Sequence, residues 1–419
     1  MRALRHRDFR LLWIGAFVSF IGSQVQMVGQ GWLVYDLTGS EQKLAIVAFA
    51  AMIPIFVLGP AGGSLADLLN KRAVLIAAQI TYAVIALFLA LATYFGFIEY
   101  WMIATAALMT GLVTAVETPT RQSLVSRVVP PEELSQAIPL NAMTFNLARV
   151  VGPAVGGFVL AKMGVPATYL LNALTFTALI LAVTAIRSNL RSTHNGERPV
   201  LKDILFEGAR YVMKEPRLKT LFFLEATTSV FGVFYIALMP AIAAQFFGLG
   251  KEGLGNAYMA AGIGAFAALL TLTMVATRFV RGYLVAAAMT MVAIGLLLLP
   301  VAGSAWLGFP ILALLGFGTV VQFNTTNTMF QIISPDRLRG RTIAMHMWAL
   351  GGLAPWGTLL FGSIAQFAGL RTALWLGGGV VAIGAAVAWS QGSKLTDDVA
   401  KLASGVDEGV RPSTKKVVR

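Results

Sequence analysis

An all-α integral membrane protein, with twelve transmembrane helices in two pseudo-symmetric six-helix bundles, is predicted by three observations. Of the 419 residues, 57% are hydrophobic and 12% charged, against about 25% charged in a soluble domain. Apolar runs of about 20 residues, the length that crosses a bilayer, recur twelve times along the chain. The two halves also repeat. Pro131-Glu132-Glu133-Leu134 ahead of the fifth run corresponds to Pro335-Asp336-Arg337-Leu338 ahead of the eleventh, and Gly157 and Gly164 correspond to Gly362 and Gly369, at an offset near half the chain. Two such halves place a ligand path at their interface, near the bilayer midplane.

The elements follow in order. A basic start, Arg2 to Arg10, leads into span 1 (11–35), which closes on Asp36-Leu37-Thr38-Gly39. Span 2 (43–66) opens on Lys43 and leads into the charged connection around Asp67, Lys71 and Arg72; span 3 (73–95) and span 4 (101–124) flank Gly96. Spans 5 (139–163) and 6 (166–186) meet at Gly164 and complete an N-terminal bundle, 1–186. A polar linker follows at 187–216. Within it Leu201, Ile204, Leu205 and Tyr211 recur at helical spacing between charges, an amphipathic helix suited to the membrane face. Spans 7 (218–246), 8 (254–276), 9 (283–301), 10 (309–333), 11 (342–368) and 12 (372–389) make the C-terminal bundle, 217–390, and a charged tail, 391–419, is expected to be disordered.

Orientation follows from the basic residues. Lys43, Lys162, Lys251 and Arg371 fall in loops on one side and Arg149 inside a span; the remainder of the 32 lie on the side of the N-terminus. By the positive-inside rule both termini are cytoplasmic. The net charge of +13 is explained by that distribution and implies no nucleic-acid partner. No cleavable signal peptide is expected, since the run after Arg10 is long and leads into further spans. Without cysteine, disulfides and thiolate metal sites are excluded, and His6, His194 and His346 have no metal-ligand spacing. No metal or cofactor is expected. Nor is an enzyme: the sequence has no G-x-S-x-G, Walker loop, H-E-x-x-H or dinucleotide fingerprint.

Charged groups inside spans cost at least about 2.5–3.5 kcal/mol on insertion scales. Arg149, Glu225 and Glu117 are the three such groups to explain. A carboxylate can load and release a proton as access alternates, and an arginine can hold it or bind an anion. Glu117 also has Arg121 one turn on, as an i,i+4 bridge. Glu225 has no base within a turn on the inward side, so it is the better proton-coupling candidate. Polar residues at depth, namely Gln26 and Gln30 in span 1, Asn146 in span 5, and Gln322 and Asn324 in span 10, supply sparse hydrogen bonding. With Tyr235 and other aromatics they outline a cavity suited to an amphipathic molecule.

Two motifs sharpen the reading. Gly63, Asp67, Lys71 and Arg72 fit G-x-x-x-D-x-x-x-[KR]-[KR], with Leu68 where a base is usual and Asn70, tolerant of the left-handed conformation, where a glycine is usual. Gly152-Pro153-Ala154-Val155-Gly156-Gly157 places a helix-kinking proline among glycines that admit a close neighbour. Gly156 is the contact at which added bulk is expected to force helices apart. These motifs resemble the loop and antiporter signatures of the major facilitator superfamily. Phe9-Arg10-Leu11-Leu12-Trp13, Trp32 to Ser40, Pro119-Thr120-Arg121-Gln122 and Leu238-Met239-Pro240 are similar to the branch that includes enterobactin exporters and macrolide efflux proteins.

The resemblance covers all twelve spans. It implies a secondary active exporter of amphipathic small molecules, a drug or siderophore-like metabolite, working by proton antiport with alternating access. Spans 1, 4, 7 and 10 would line the path. Asp67 would hold the inner side shut against the start of span 11 (339–342), Arg121 or Arg127. Implied too are a monomer in a bacterial inner membrane, with a small-molecule substrate, protons and the lipid bilayer as partners. Metabolite uptake, or a non-transporting sensor on the same fold, are the alternatives.

Overall fold

Six connections at one end of the molecule share a single device. In the computed structural model each carries a glycine at positive φ: Gly39, Gly96 and Gly164 in the first half, and Gly248, Gly303 and Gly369 in the second. That conformation is strained for any other residue, and it lets one helix stop and the next turn back within one to six residues. The internal repeat is thus visible in the backbone as well as in the motifs. This end is the one the charge distribution assigns to the outside.

The structure describes residues 3–68, 70–187, 201–275, 280–335 and 337–395; side chains at 59–68, 126, 135, 139, 142, 143, 146, 201–206, 252 and 275 fall outside that description. The first half contains α1 (Arg7–Thr38), α2 (Glu41–Leu68), α3 (Lys71–Tyr94), α4 (Tyr100–Val128), α5 (Leu134–Met163) and α6 (Val165–Ala185). The linker helix is α7 (Leu201–Lys214). The second half has α8 (Pro216–Phe231), α9 (Met239–Phe247), α10 (Lys251–Val275), α11 (Arg281–Leu298), α12 (Ala305–Ile333), α13 (Arg339–Met347), α14 (Ala354–Ala368) and α15 (Leu370–Gln391). Among the described residues nine helices are long and apolar enough to cross a membrane, and the pair α8–α9, bent by 61°, makes ten. The predicted spans 5 and 11 fall on α5 and on the run from α13 to α14.

Two predicted spans are therefore broken. Span 7 bends between α8 and α9, where Gly232 ends one helix and Pro240, which lacks an N–H, lies in the first turn of the next. Span 11 is interrupted by a π turn, Trp348–Gly352, with Pro355 just beyond it in the first turn of α14. By contrast α5 is continuous through Pro153. The linker helix also differs from expectation. Besides lying where an amphipathic helix was predicted, α7 packs on α13, with Glu207 pairing with Arg337 at 3.2 Å and with Arg341.

The halves meet along two helix pairs, α2 with α14 and α5 with α10. Lipid gives no hydrophobic drive between apolar helices, so small residues that admit close approach decide where they cross. Gly157 of α5 lies against Gly255 of α10, where a Cβ on either would overlap the other's backbone. A Cβ on Gly362 of α14 would overlap the Ala45 Cβ of α2. The other glycines of the motif face inward to their own half: a Cβ on Gly156 would stand 3.0 Å from Val25 Cα and 3.2 Å from Val28 Cβ, and one on Gly152 would strike Gln24, all in α1. Gly157, not Gly156, is the glycine at the crossing between halves.

At the outer end the two halves are latched by polar contacts. Ser40 Oγ donates to Gln366 at 2.5 Å, Gln42 Nε2 to Ser363 at 3.3 Å, and Gln245 Nε2 to both Glu41 (2.6 Å) and Tyr35 (3.1 Å). At the inner end the described contacts tie elements of one half together. His6 meets Glu133 at 3.0 Å, Lys71 donates to Ser123 at 2.8 Å, and Arg72 donates to the Ile186 carbonyl. Asn70 is not left-handed: at φ −67° it caps α3, its side chain accepting from Arg72 N and Ala73 N.

Candidate functional site

Glu225 lies in the middle of α8, and its carboxylate is completely buried. The expectation that it lacks a basic neighbour is corrected by the tertiary structure. His346 of α13, 121 residues away in sequence, places Nδ1 2.5 Å from Glu225 Oε2. The imidazole is 1% exposed and packs against the Phe330 ring at 5.5 Å. Glu225 Oε1 has no hydrogen-bond partner among the described residues. Sequence reasoning missed His346. Its position inside a predicted span was the available signal, since an ionisable residue there calls for a partner or a role.

One helical turn beyond Glu225, Ser229 Oγ donates to the Leu350 carbonyl in the π turn at 2.7 Å. Thr228 Oγ1 donates to Gln322 Oε1 at 2.8 Å, and Gln322 Nε2 to the Leu224 carbonyl at 3.2 Å. Gln322 is thus fully buried and spends both ends of its amide on α8. It joins two helices inside the second half and does not stand on an open wall. Tyr235 is likewise buried at 1%. Asn324 is exposed on α12, its Nδ2 donating to its own helix at Val320. In the first half Gln26 Oε1 accepts from Asn172 Nδ2 at 2.7 Å, and Gln30 is half-buried. Asn146 lies outside the described side chains.

Arg149 is exposed on α5, and its backbone carbonyl abuts Gly262 of α10, so it lies on the seam between halves. Among the described residues it has no ion pair.

Glu117 and Arg121 form the i,i+4 bridge the spacing predicted, Nε to Oε1 at 2.8 Å, buried within the half, with side chains 8% and 3% exposed. The guanidinium is clamped between Phe20 and Phe145, 4.6 and 4.7 Å from their centroids. That placement makes Arg121 a fixed part of the first half. Its partners Phe20 (α1), Glu117 (α4) and Phe145 (α5) come from three helices of one bundle. Arg121→Ala is expected to destabilise the protein by about 3–5 kcal/mol, because it leaves a buried carboxylate unpaired. The double variant Glu117→Gln/Arg121→Met should recover most of that loss. Thermal denaturation of the detergent-solubilised protein measures both, and equal melting of single and double variants would dismiss the pair's structural role. Gly63 and Asp67 lie outside the described side chains, and with them the proposed inner gate.

The comparisons with known proteins agree with this architecture. A family model described as "Transmembrane secretion effector" matches residues 1–406. The chain is 25% identical over 359 residues to a staphyloferrin A transporter of Staphylococcus aureus (strain NCTC 8325 / PS 47), covering 85% of this chain and 89% of that protein. It is 26% identical over 374 residues to the multidrug efflux pump Tap of Mycolicibacterium fortuitum, covering 86% and 90%. Macrolide efflux protein A of Streptococcus pyogenes is 23% identical over 179 residues, 43% of this chain and 44% of its own. Among solved structures, the nucleoside transporter NupG superposes with a TM-score of 0.71 at 14% identity, over 91% of this chain and 98% of its own. A POT family transporter in complex with 5-aminolevulinic acid gives 0.76 at 10%, over 93% and 97%. At these identities the structural matches speak for the fold alone.

Proposed function

Because the chain belongs to the transmembrane secretion effector family of major facilitator transporters, we propose that it exports amphipathic small molecules in exchange for entering protons. Multi-pass membrane insertion and the transporter fold are its given frame. Substrate class, direction and coupling ion are the further steps. Direction draws on the relatives, two of which are named for efflux of drugs, and on the glycine motif at the α5–α10 crossing. The substrate class draws on those names and on the staphyloferrin A transporter. A drug or a siderophore-like metabolite is the candidate, and a bacterial plasma membrane with both termini inside is the proposed setting.

The observation that carries the coupling is the buried pair Glu225–His346. A carboxylate with one oxygen on an imidazole and the other unpartnered among the described residues can change its proton count with little rearrangement of its neighbours. Burial makes each uncompensated charge expensive, so occupancy by a proton and exposure to one side or the other are energetically linked. Arg149 on the seam, with Gln26, Gln30 and Asn324, is proposed to contact the substrate. Accumulation of a panel of dyes, macrolides and siderophores in an efflux-deficient host, with and without an uncoupler, tests the proposal. Lower accumulation of at least one compound, reversed by the uncoupler, is expected. Raised accumulation would instead identify an uptake carrier.

A further inference from the structure

The proton site and the seam between the halves are joined by one short piece of irregular helix. Glu225 and Ser229, a turn apart on α8, hold span 11 at two points: His346 just before the π turn and the Leu350 carbonyl inside it. The π turn in its bulk presents Trp348 and Gly352 to the opposite half. The Trp348 ring stacks on Phe222 of α8 at 6.1 Å and lies 5.8 Å from Phe56 of α2. A Cβ on Gly352 would meet the same Phe56 ring at 2.9 Å. Immediately beyond, α14 runs along α2 through Trp356 on Phe49 (5.2 Å) and Gly362 on Ala45 to the outer latch at Ser363 and Gln366.

We propose that the π turn Trp348–Gly352 is the element that converts proton occupancy of Glu225–His346 into movement of α14 against α2, with Ser229 as its positioning residue. This rests on the coupling role given to the pair above. A π turn carries one residue more per turn than an α-helix and so has a near alternative in which that residue is taken up. Ser229 satisfies a carbonyl that the irregular turn leaves without its regular helical partner. Loss of the contact at His346 changes one anchor of the turn. The other anchor then fixes how far the change reaches Trp348 and Gly352.

Few other charges face the pair. α12 and α14, both packed on α8, contain no charged residue. α13 carries Arg339 and Arg341 at its start, and α7, packed on both α8 and α13, carries Lys202, Asp203, Arg210, Lys214 and Glu207, the last pairing with Arg341. α8 carries Arg217, which pairs with Glu215, and Lys219 near its own start, and Arg371 of α15 lies at the outer end. Glu225 and His346 are therefore the titratable groups at the anchor itself.

The absence of cysteine makes the test direct. Ile46→Cys in α2 and Leu360→Cys in α14, both exposed positions beside the seam, receive spin labels, and the full-length protein is reconstituted in nanodiscs. The ratio of the two distance populations is followed against pH. In the labelled parent it should change by up to about tenfold per pH unit, the limit for one linked proton. In Ser229→Ala it should stay flat, and Ser229→Thr should restore the response. Gly352→Ala, which sets a methyl against Phe56, should also flatten it and serves if Ser229→Ala fails to fold. A parent that responds while Ser229→Ala and Gly352→Ala respond equally would overturn the role of the π turn and leave the proton pair standing. A parent that does not respond overturns both.

Discussion

Replacing Glu225 by glutamine is expected to abolish uphill efflux, bringing the substrate ratio across the membrane to about 1, the value with no linked ion. Glutamine keeps the shape of the side chain and can still exchange a hydrogen bond with His346 Nδ1 across the 2.5 Å contact. What it cannot do is change its proton count. Exchange of labelled for unlabelled substrate needs no net proton movement and should survive. The measurement is therefore a pair of assays on one proteoliposome preparation, pH-driven efflux and equilibrium exchange. His346→Gln should also impair driven efflux, since it leaves the carboxylate buried without its basic partner, a loss of about 3–5 kcal/mol when an ion pair is broken from one side. Driven efflux at the parent rate in Glu225→Gln would take the coupling role away from this pair.

The second large effect concerns the crossing of α5 and α10. Gly157→Val places a branched side chain where the Gly255 backbone already stands, an overpacking cost of about 1–3 kcal/mol. That cost falls on whichever conformation brings the two helices together, and 1.4 kcal/mol is about a tenfold change in population. Uncoupled leak of substrate down its gradient, with no pH difference applied, is the expected outcome. Gly156→Val is the informative control. Its bulk would meet Val25 and Val28 of α1 within the same half, so it should lower the melting temperature without opening a leak. If Gly157→Val remains tightly coupled, the glycine pair is packing alone.

The sequence made some of this legible and left some of it out of reach. Span positions were readable because hydropathy and turn glycines act locally, and because the same glycines recur in both halves. Glu225 was singled out by depth alone, correctly as to burial. Its partner was not readable, since His346 reaches it through the packing of α13 on α8, and nothing in either local sequence encodes that meeting. The same limit explains Gly156 and Gly157. Adjacent residues on a helix point about 100° apart, so only the neighbours decide which one meets the other half. Gln322 illustrates a third case: a buried amide serves a cavity or a helix–helix joint with identical chemistry, and the choice is made by the Thr228 hydroxyl and Leu224 carbonyl beside it.

The six glycine turns have a consequence for the face they close. With helices reversing in one to six residues, that surface offers almost no loose chain for a protease to enter, an antibody to grip or an inserted tag to tolerate. A reagent directed at that face meets helix ends and little else.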